Sequence, residues 1–113
     1  NCIVHARPDC SCKIGEYVTV GHGAIVHNAI ISDYASVGMG AVVSNDAEIG
    51  SWSIIGEGGV VRTSQKIPAE KVVVGVPGKI VGNITEDQRK FWNWGKKVYA
   101  GLARRCLEGL EEI

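Results

Sequence analysis

The chain contains three histidines, His5, His22 and His27, all in its first quarter. Neutral imidazole is the commonest side-chain ligand for transition metals. His5 follows Val4 and His27 follows Val26, so both hold the same place relative to a β-branched apolar residue, 22 residues apart. If one turn of the chain takes about 18 residues, roughly four remain for a loop around Arg7-Pro8-Asp9-Cys10, and the two imidazoles lie on adjacent layers. Strands about 4.8 Å apart then allow one ion to be shared at nitrogen distances of about 2.0–2.1 Å. His22 lies two places after Val20, on a different side of such a coil, and converges on the other two only from a neighbouring subunit.

The elements that must carry these side chains are written in a six-residue rhythm. Ile14, Val20, Val26, Ile31, Val37, Val43, Ile49, Ile55 and Val61 recur at steps of six with one step of five. The next residue is usually small or turn-prone (Gly15, Gly21, Ser32, Gly38, Ser44, Gly50, Gly56), and small residues follow again at Ala24, Ala35, Ala41, Ala47, Ser53 and Gly59. Each hexad therefore reads as a short strand and a tight bend. One hexad cannot bury its own apolar face, but three of them closing a triangular coil stack on the next coil and make a continuous core. The expected architecture is an all-β repeat, a parallel β-helix, over residues 1–84 including an exit segment. The rhythm is expected to stop after Val61, with Lys66-Ile67-Pro68 and Gly75-Val76-Pro77-Gly78-Lys79 marking departure from the coil.

From Thr85 the period changes. Thr85-Glu86-Asp87-Gln88 is a capping-box signature, and Phe91, Trp94, Val98, Leu102, Cys106 and Leu110 recur at three- and four-residue steps. An amphipathic helix over residues 85–113, packed on the coil as part of the same domain, is expected. Trp92, Trp94 and Tyr99 are expected to pack that helix onto the prism or a neighbouring subunit.

Composition sets the outer limits. The 113 residues are 45% hydrophobic with twelve Lys plus Arg against twelve Asp plus Glu, which suits one modest domain and gives no basic excess for nucleic acid. No apolar run approaches the roughly 20 residues that cross a bilayer, so a soluble, cytoplasmic protein without membrane or nucleic-acid partners is expected, with any targeting signal lying ahead of Asn1. The four cysteines, Cys2, Cys10, Cys12 and Cys106, lack the C-x-x-C spacing of a paired zinc site and read as structural or incidental thiols.

The stretches Asn1-Cys2-Ile3-Val4-His5, Gly21-His22-Gly23-Ala24-Ile25-Val26-His27 and Val37-Gly38-Met39-Gly40-Ala41-Val42-Val43, continued through Trp94-Gly95 and Tyr99 to Arg105-Cys106, resemble the gamma-class carbonic anhydrase family. The C-terminal tract looks most like the subgroup found beside phenylacetate-degradation and carnitine genes. The resemblance implies a left-handed coil and a homotrimer with a metal at each subunit interface. It implies that His5 and His27 come from one chain and His22 from the next, with zinc, iron or cobalt as the metal. Tyr99 is the candidate catalytic side chain beyond the ligands. The implied reaction is reversible hydration of carbon dioxide to bicarbonate by a metal-bound hydroxide. The family's proton-shuttle glutamate, three residues after the first ligand, is replaced here by Pro8 with Asp9 beside it. Its pocket-shaping Arg, Gln and Asp fall ahead of Asn1, as expected of a piece of a longer protein. Two other readings share the fold: a coenzyme A-dependent acyltransferase or thioesterase, and a catalytically silent trimeric metal-binding scaffold.

Overall fold

The computed structural model describes residues 1–111, with side chains described as far as Leu107. Among the described residues the chain forms thirteen strands and one helix: β1 (Ile3–His5), β2 (Lys13–Ile14), β3 (Thr19–Val20), β4 (Ile25–His27), β5 (Ile30–Ile31), β6 (Ser36–Val37), β7 (Val42–Val43), β8 (Glu48–Ile49), β9 (Ile54–Ile55), β10 (Val60–Val61), β11 (Lys66–Ile67), β12 (Lys71–Val74), β13 (Lys79–Asn83) and α1 (Glu86–Glu111). Every third strand pairs in parallel, giving three sheets in the orders β1-β4-β7-β10, β2-β5-β8-β11 and β3-β6-β9-β12-β13. These are the three sides of a triangular prism about four coils long.

The hexad explains the packing. In register, Val26, Val43 and Val61 stack on the first side, Ile31, Ile49 and Ile67 on the second, and Val37, Ile55 and Val73 on the third, all at 3% exposure or less. Burying each such side chain contributes about 1.5–3 kcal/mol. The small residues Ala24, Ala35, Ala41, Ala47 and Ser53 are fully buried where the coil bends inward. In the first coil Val4 and Ile14 remain exposed at the open end of the prism.

The bends have one geometry and three chemistries. The first corner carries positive-φ residues Asp9, Asn28, Asp46 and Ser64; the second, Tyr17, Tyr34, Trp52 and Glu70; the third, Gly23, Gly40, Gly58 and Gly75. A left-handed conformation costs a non-glycine residue about 1–2 kcal/mol, comparable with one buried Val, so a hexad is stable only when stacked. The return is a hydrogen bond along the prism: Asn28 N–H donates to His5 O (2.7 Å), Gly40 N–H to His22 O (2.9 Å) and Tyr34 N–H to Glu16 O (2.9 Å). At the second corner the rings also stack, Tyr17 on Tyr34 at 5.3 Å and Tyr34 on Trp52 at 4.6 Å.

The coil runs further than the sequence rhythm suggests. Ile67 pairs with Ile49 and Val73 with Ile55, so the hexads continue through β12. Pro68 is tolerated because it stands at a corner, outside the strand ladder, and its carbonyl accepts the Ser53 hydroxyl at 2.6 Å. Departure from the coil begins at Gly75, from which the chain turns back as β13, antiparallel to β12.

The capping box forms: Gln88 N–H donates to Thr85 Oγ1 (3.1 Å) and Thr85 N–H to Gln88 Oε1 (2.8 Å). Helix α1 then lies against the third side, holding it through Arg89 over the Trp52 ring (4.6 Å to the centroid), the half-buried Trp92 and the buried Lys96. Arg89 also forms an ion pair with Glu70. The apolar series of the helix faces elsewhere: Phe91, Trp94, Val98, Leu102 and Tyr99 are 41–69% exposed. The third side presents Thr19 and Ser36 outward, and a lysine matches that polar surface where a leucine would not. Leu110 of the same series lies outside the described side chains, and residues 112–113 lie outside the described residues.

Candidate metal centre

His5 ends β1 and His27 ends β4, and the two are directly paired in the parallel ladder. Because strand side chains alternate, Val26 between Ile25 and His27 points into the core and the histidines point out. Their rings stand 4.8 Å apart, centroid to centroid, at 20° to each other. The backbone beneath them is fixed by the Asn28 N–H bonded to His5 O. Asn28 itself is buried, its Nδ2 donating to Asp46 Oδ1 at 3.0 Å. The extra residues of the first corner bulge outward as a loop, closed by Cys10 N–H to Arg7 O (3.1 Å) and tied down by Arg7 to Asp46 at 3.6 Å.

His22 stands at the third corner, exposed, its carbonyl held by Gly40 N–H. It shares a cleft of about 1210 Å³ with Val20, Val37, Ile54, Lys96 and Tyr99, between the third side and α1. Among the described residues no three His, Cys, Asp or Glu side chains converge within one chain. The structure brings His5 and His27 together and leaves His22 apart, across the same side of the prism. Two outward, parallel imidazoles suit a transition ion as donors, and they supply half of a four-coordinate set.

Two features of this region have no signature in the sequence. Lys96 is 4% exposed, and its ammonium donates to Thr19 Oγ1 (2.8 Å), Ser36 Oγ (3.0 Å) and Ala35 O (3.1 Å). Burial among neutral acceptors, with no carboxylate partner in that set, lowers its pKa to about 8. Asn28 is the other: its Oδ1 is buried without a partner among the described residues, directly after His27. The four cysteines are free thiols, Cys12 half-buried and the others exposed.

No protein-family model matches the chain. The carnitine operon protein CaiE of Escherichia coli is 32% identical over 111 residues, covering 98% of this chain and 57% of CaiE. The probable carbonic anhydrase of Methanocaldococcus jannaschii is 42% identical over 89 residues, covering 79% of this chain and 56% of that protein. The crystal structure of a hexapeptide transferase family protein from Anaplasma phagocytophilum superposes with a TM-score of 0.85 at 27% identity, covering 92% of this chain and 61% of that one. The chain thus spans a little over half the length of the curated relatives it matches. Among the described residues no helix is long and apolar enough to cross a membrane.

Proposed function

The chain belongs to the hexapeptide-repeat family of left-handed parallel β-helices that includes the gamma-class carbonic anhydrases and the CaiE proteins, and from that premise we propose that it is a metal-dependent, carbonic anhydrase-like enzyme acting on carbon dioxide and bicarbonate. The observation that carries this reading is the stacked pair His5 and His27 at 4.8 Å, outward on a side of the prism whose other edge carries His22. In a homotrimer, His5 and His27 of one copy and His22 of the next would hold the ion.

Zinc, iron or cobalt bound there would supply a Lewis acid that lowers the pKa of a coordinated water. The remaining work belongs to the chain. The in-register strands fix the separation of His5 and His27, and Gly40 N–H holds the His22 backbone from the coil below. Tyr99, the proposed catalytic side chain, lines the cleft with His22, and its phenol is available to orient a substrate oxygen. Asp9, next to Pro8 in the enlarged corner beside His5, is the nearest carboxylate in sequence to take up an outgoing proton.

The test is metal content per subunit after anaerobic purification, paired with stopped-flow carbon dioxide hydration, on the native chain and on His22→Ala. Native protein is expected to hold close to one metal per subunit and to hydrate carbon dioxide, and the variant to do neither. Native protein without metal sinks the reading.

One observation favours a second reading. The cleft, at about 1210 Å³, exceeds the usual range of about 300–1,000 Å³ for pockets that take drug-sized ligands. It is walled largely by Val18, Val20, Val37, Ile54 and Trp92, which suits the apolar arm of a coenzyme A thioester better than a triatomic gas. Metal-loaded protein that does not hydrate carbon dioxide but gains thermal stability with pantetheine would place the chain with the acyltransferases or thioesterases; metal without either property would leave a scaffold.

A further inference from the structure

We propose that the cleft between the third side of the prism and α1 binds a carboxylate carried on an apolar body, such as a medium-chain acyl acid, with Lys96 as its counter-ion through the Thr19 hydroxyl. This ligand goes beyond the proposed hydration of carbon dioxide, and its site needs no metal.

The charge supplies the first half of the argument. A buried ammonium is costly unless hydrogen-bond acceptors and an anion replace the water it loses. Lys96 has the acceptors and lacks the anion. Its three N–H groups reach Thr19 Oγ1 (2.8 Å), Ser36 Oγ (3.0 Å) and Ala35 O (3.1 Å), all neutral, and the Trp92 ring lies 5.5 Å from the ammonium. None of the ion pairs among the described residues includes Lys96. Glu16 and Glu57, the two carboxylates on the cleft, are both exposed. The positive charge is therefore left without a counter-ion beside a largely apolar cleft, where an anion gains more from it than in water.

The hydroxyl and the walls supply the second half. A hydroxyl that accepts a hydrogen bond still has its own O–H to give. Thr19 is half-buried on β3 and lines the cleft together with Lys96. Its Oγ1 takes one ammonium proton, so its own hydrogen is left to donate to a carboxylate oxygen in the cleft. The lysine charge then stands one oxygen behind the anion and strengthens that bond. The rest of the wall is apolar: Val18, Val20, Ile54 and Trp92 line the space of about 1210 Å³. Each methylene laid against such a wall raises affinity roughly fourfold. Carbon dioxide uses neither feature, whereas an acid with an apolar body uses both.

The experiment is isothermal titration calorimetry with octanoate and with octanamide, its neutral isostere, on the native chain, Thr19→Val, Lys96→Met and His22→Ala. Native protein at neutral pH is expected to bind octanoate about tenfold or more tighter than octanamide, because hydrogen bonds to a charged group are the strong ones. Thr19→Val keeps the shape of the side chain and Lys96→Met most of its length; both are expected to lose that preference while still binding octanamide, which shows that the cleft persists. Should Lys96→Met lose both ligands with the docking of α1, Thr19→Val decides. His22→Ala is expected to bind octanoate as the native chain does. With Lys96 charged below its pKa of about 8, octanoate affinity is expected to hold below about pH 8 and to fall above it, and to stay level in Lys96→Met. A fall that Lys96→Met shares belongs to Glu16, Tyr17, His22, Glu57 or Tyr99, the other titratable groups on the cleft, and removes Lys96 from the site. Equal affinity for the two ligands, or no octanoate binding at all, overturns the proposal. Octanoate binding lost in His22→Ala but kept in Thr19→Val assigns the carboxylate to the metal centre and overturns it too, leaving the metal reading in place.

Discussion

The ammonium of Lys96 donates at 2.8 Å to the hydroxyl of Thr19, across 77 residues of sequence, and with Ser36 and Ala35 that bond fixes α1 to the first two coils. The group is buried and charged at neutral pH, with a pKa lowered to about 8 by desolvation. Between about 8 and the ordinary lysine value near 10.4, the unfolded chain holds a proton that the folded chain has released. Stability therefore rises with pH through that window and is lowest, on this account, below pH 8. Denaturant melts at pH 7 and pH 10 are expected to show a gain on the order of 2–3 kcal/mol in the native chain. Lys96→Met should lose most of that pH dependence; an unchanged rise would assign it to other groups.

His27→Ala removes an outward side chain that supports no core contact, so the coil should keep its stability to within about 1 kcal/mol. Metal content, on the proposed function, should fall to near zero. Thermal melts beside elemental analysis separate the two effects, and a large loss of stability would mean that the stacked rings hold the coil together.

Two glycines in one corner should behave differently. A Cβ at Gly38 would lie 2.7 Å from Ile55 O and 2.8 Å from Glu57 N, backbone atoms of the next coil that cannot yield without separating the layers. At Gly40 a Cβ meets nothing within 4 Å, and only its φ of +70° resists substitution. Gly40→Ala is expected to cost about 1–2 kcal/mol, and Gly38→Ala clearly more, to the point of poor soluble yield. Equal denaturation midpoints for the two would refute the close-approach explanation.

Thr85→Ala removes the hydroxyl that accepts Gln88 N–H at 3.1 Å and should cost about 1 kcal/mol. The loss should appear as a lower thermal midpoint of the helical circular dichroism signal. Thr85→Ser, which keeps the hydroxyl, should recover most of it.

Much of this molecule can be read from its sequence because its contacts repeat. The hexad phase, once the first corner absorbs its extra residues, places Val26, Val43 and Val61 in one column and sets His5 beside His27, since each stands one position past a valine of that column. Ile67 and Val73 are harder to see: Pro68 and the glycines that follow look like an ending, yet they fall at corners, where a hexad tolerates them. The helix cap is legible for the opposite reason, all its partners being within three residues. The docking of α1 is not, because Lys96 bonds Thr19 and Ser36 from 77 and 60 residues away. Its apolar row suggests an inward face, and the polar outer surface of β3 and β6 makes the helix turn that row away. On the proposed function the partners of His22 belong to a second copy, which neither the hexad phase nor the fold of one copy displays.

The corners also carry a consequence for how such a chain can change. All departures from the six-residue step fall at the first corner: four extra residues between β1 and β2, and one fewer between β4 and β5. The core phase on either side is untouched, because an added or deleted residue is taken up in the outward bend and never passed into the next strand. A prism of this kind can therefore be edited by length at one edge while its interior stays fixed. The edge that has been edited here is the one beside His5 and His27, so lineages built on this plan can remodel the rim of the site by insertion alone, leaving the residues that hold the coil together out of reach of the change.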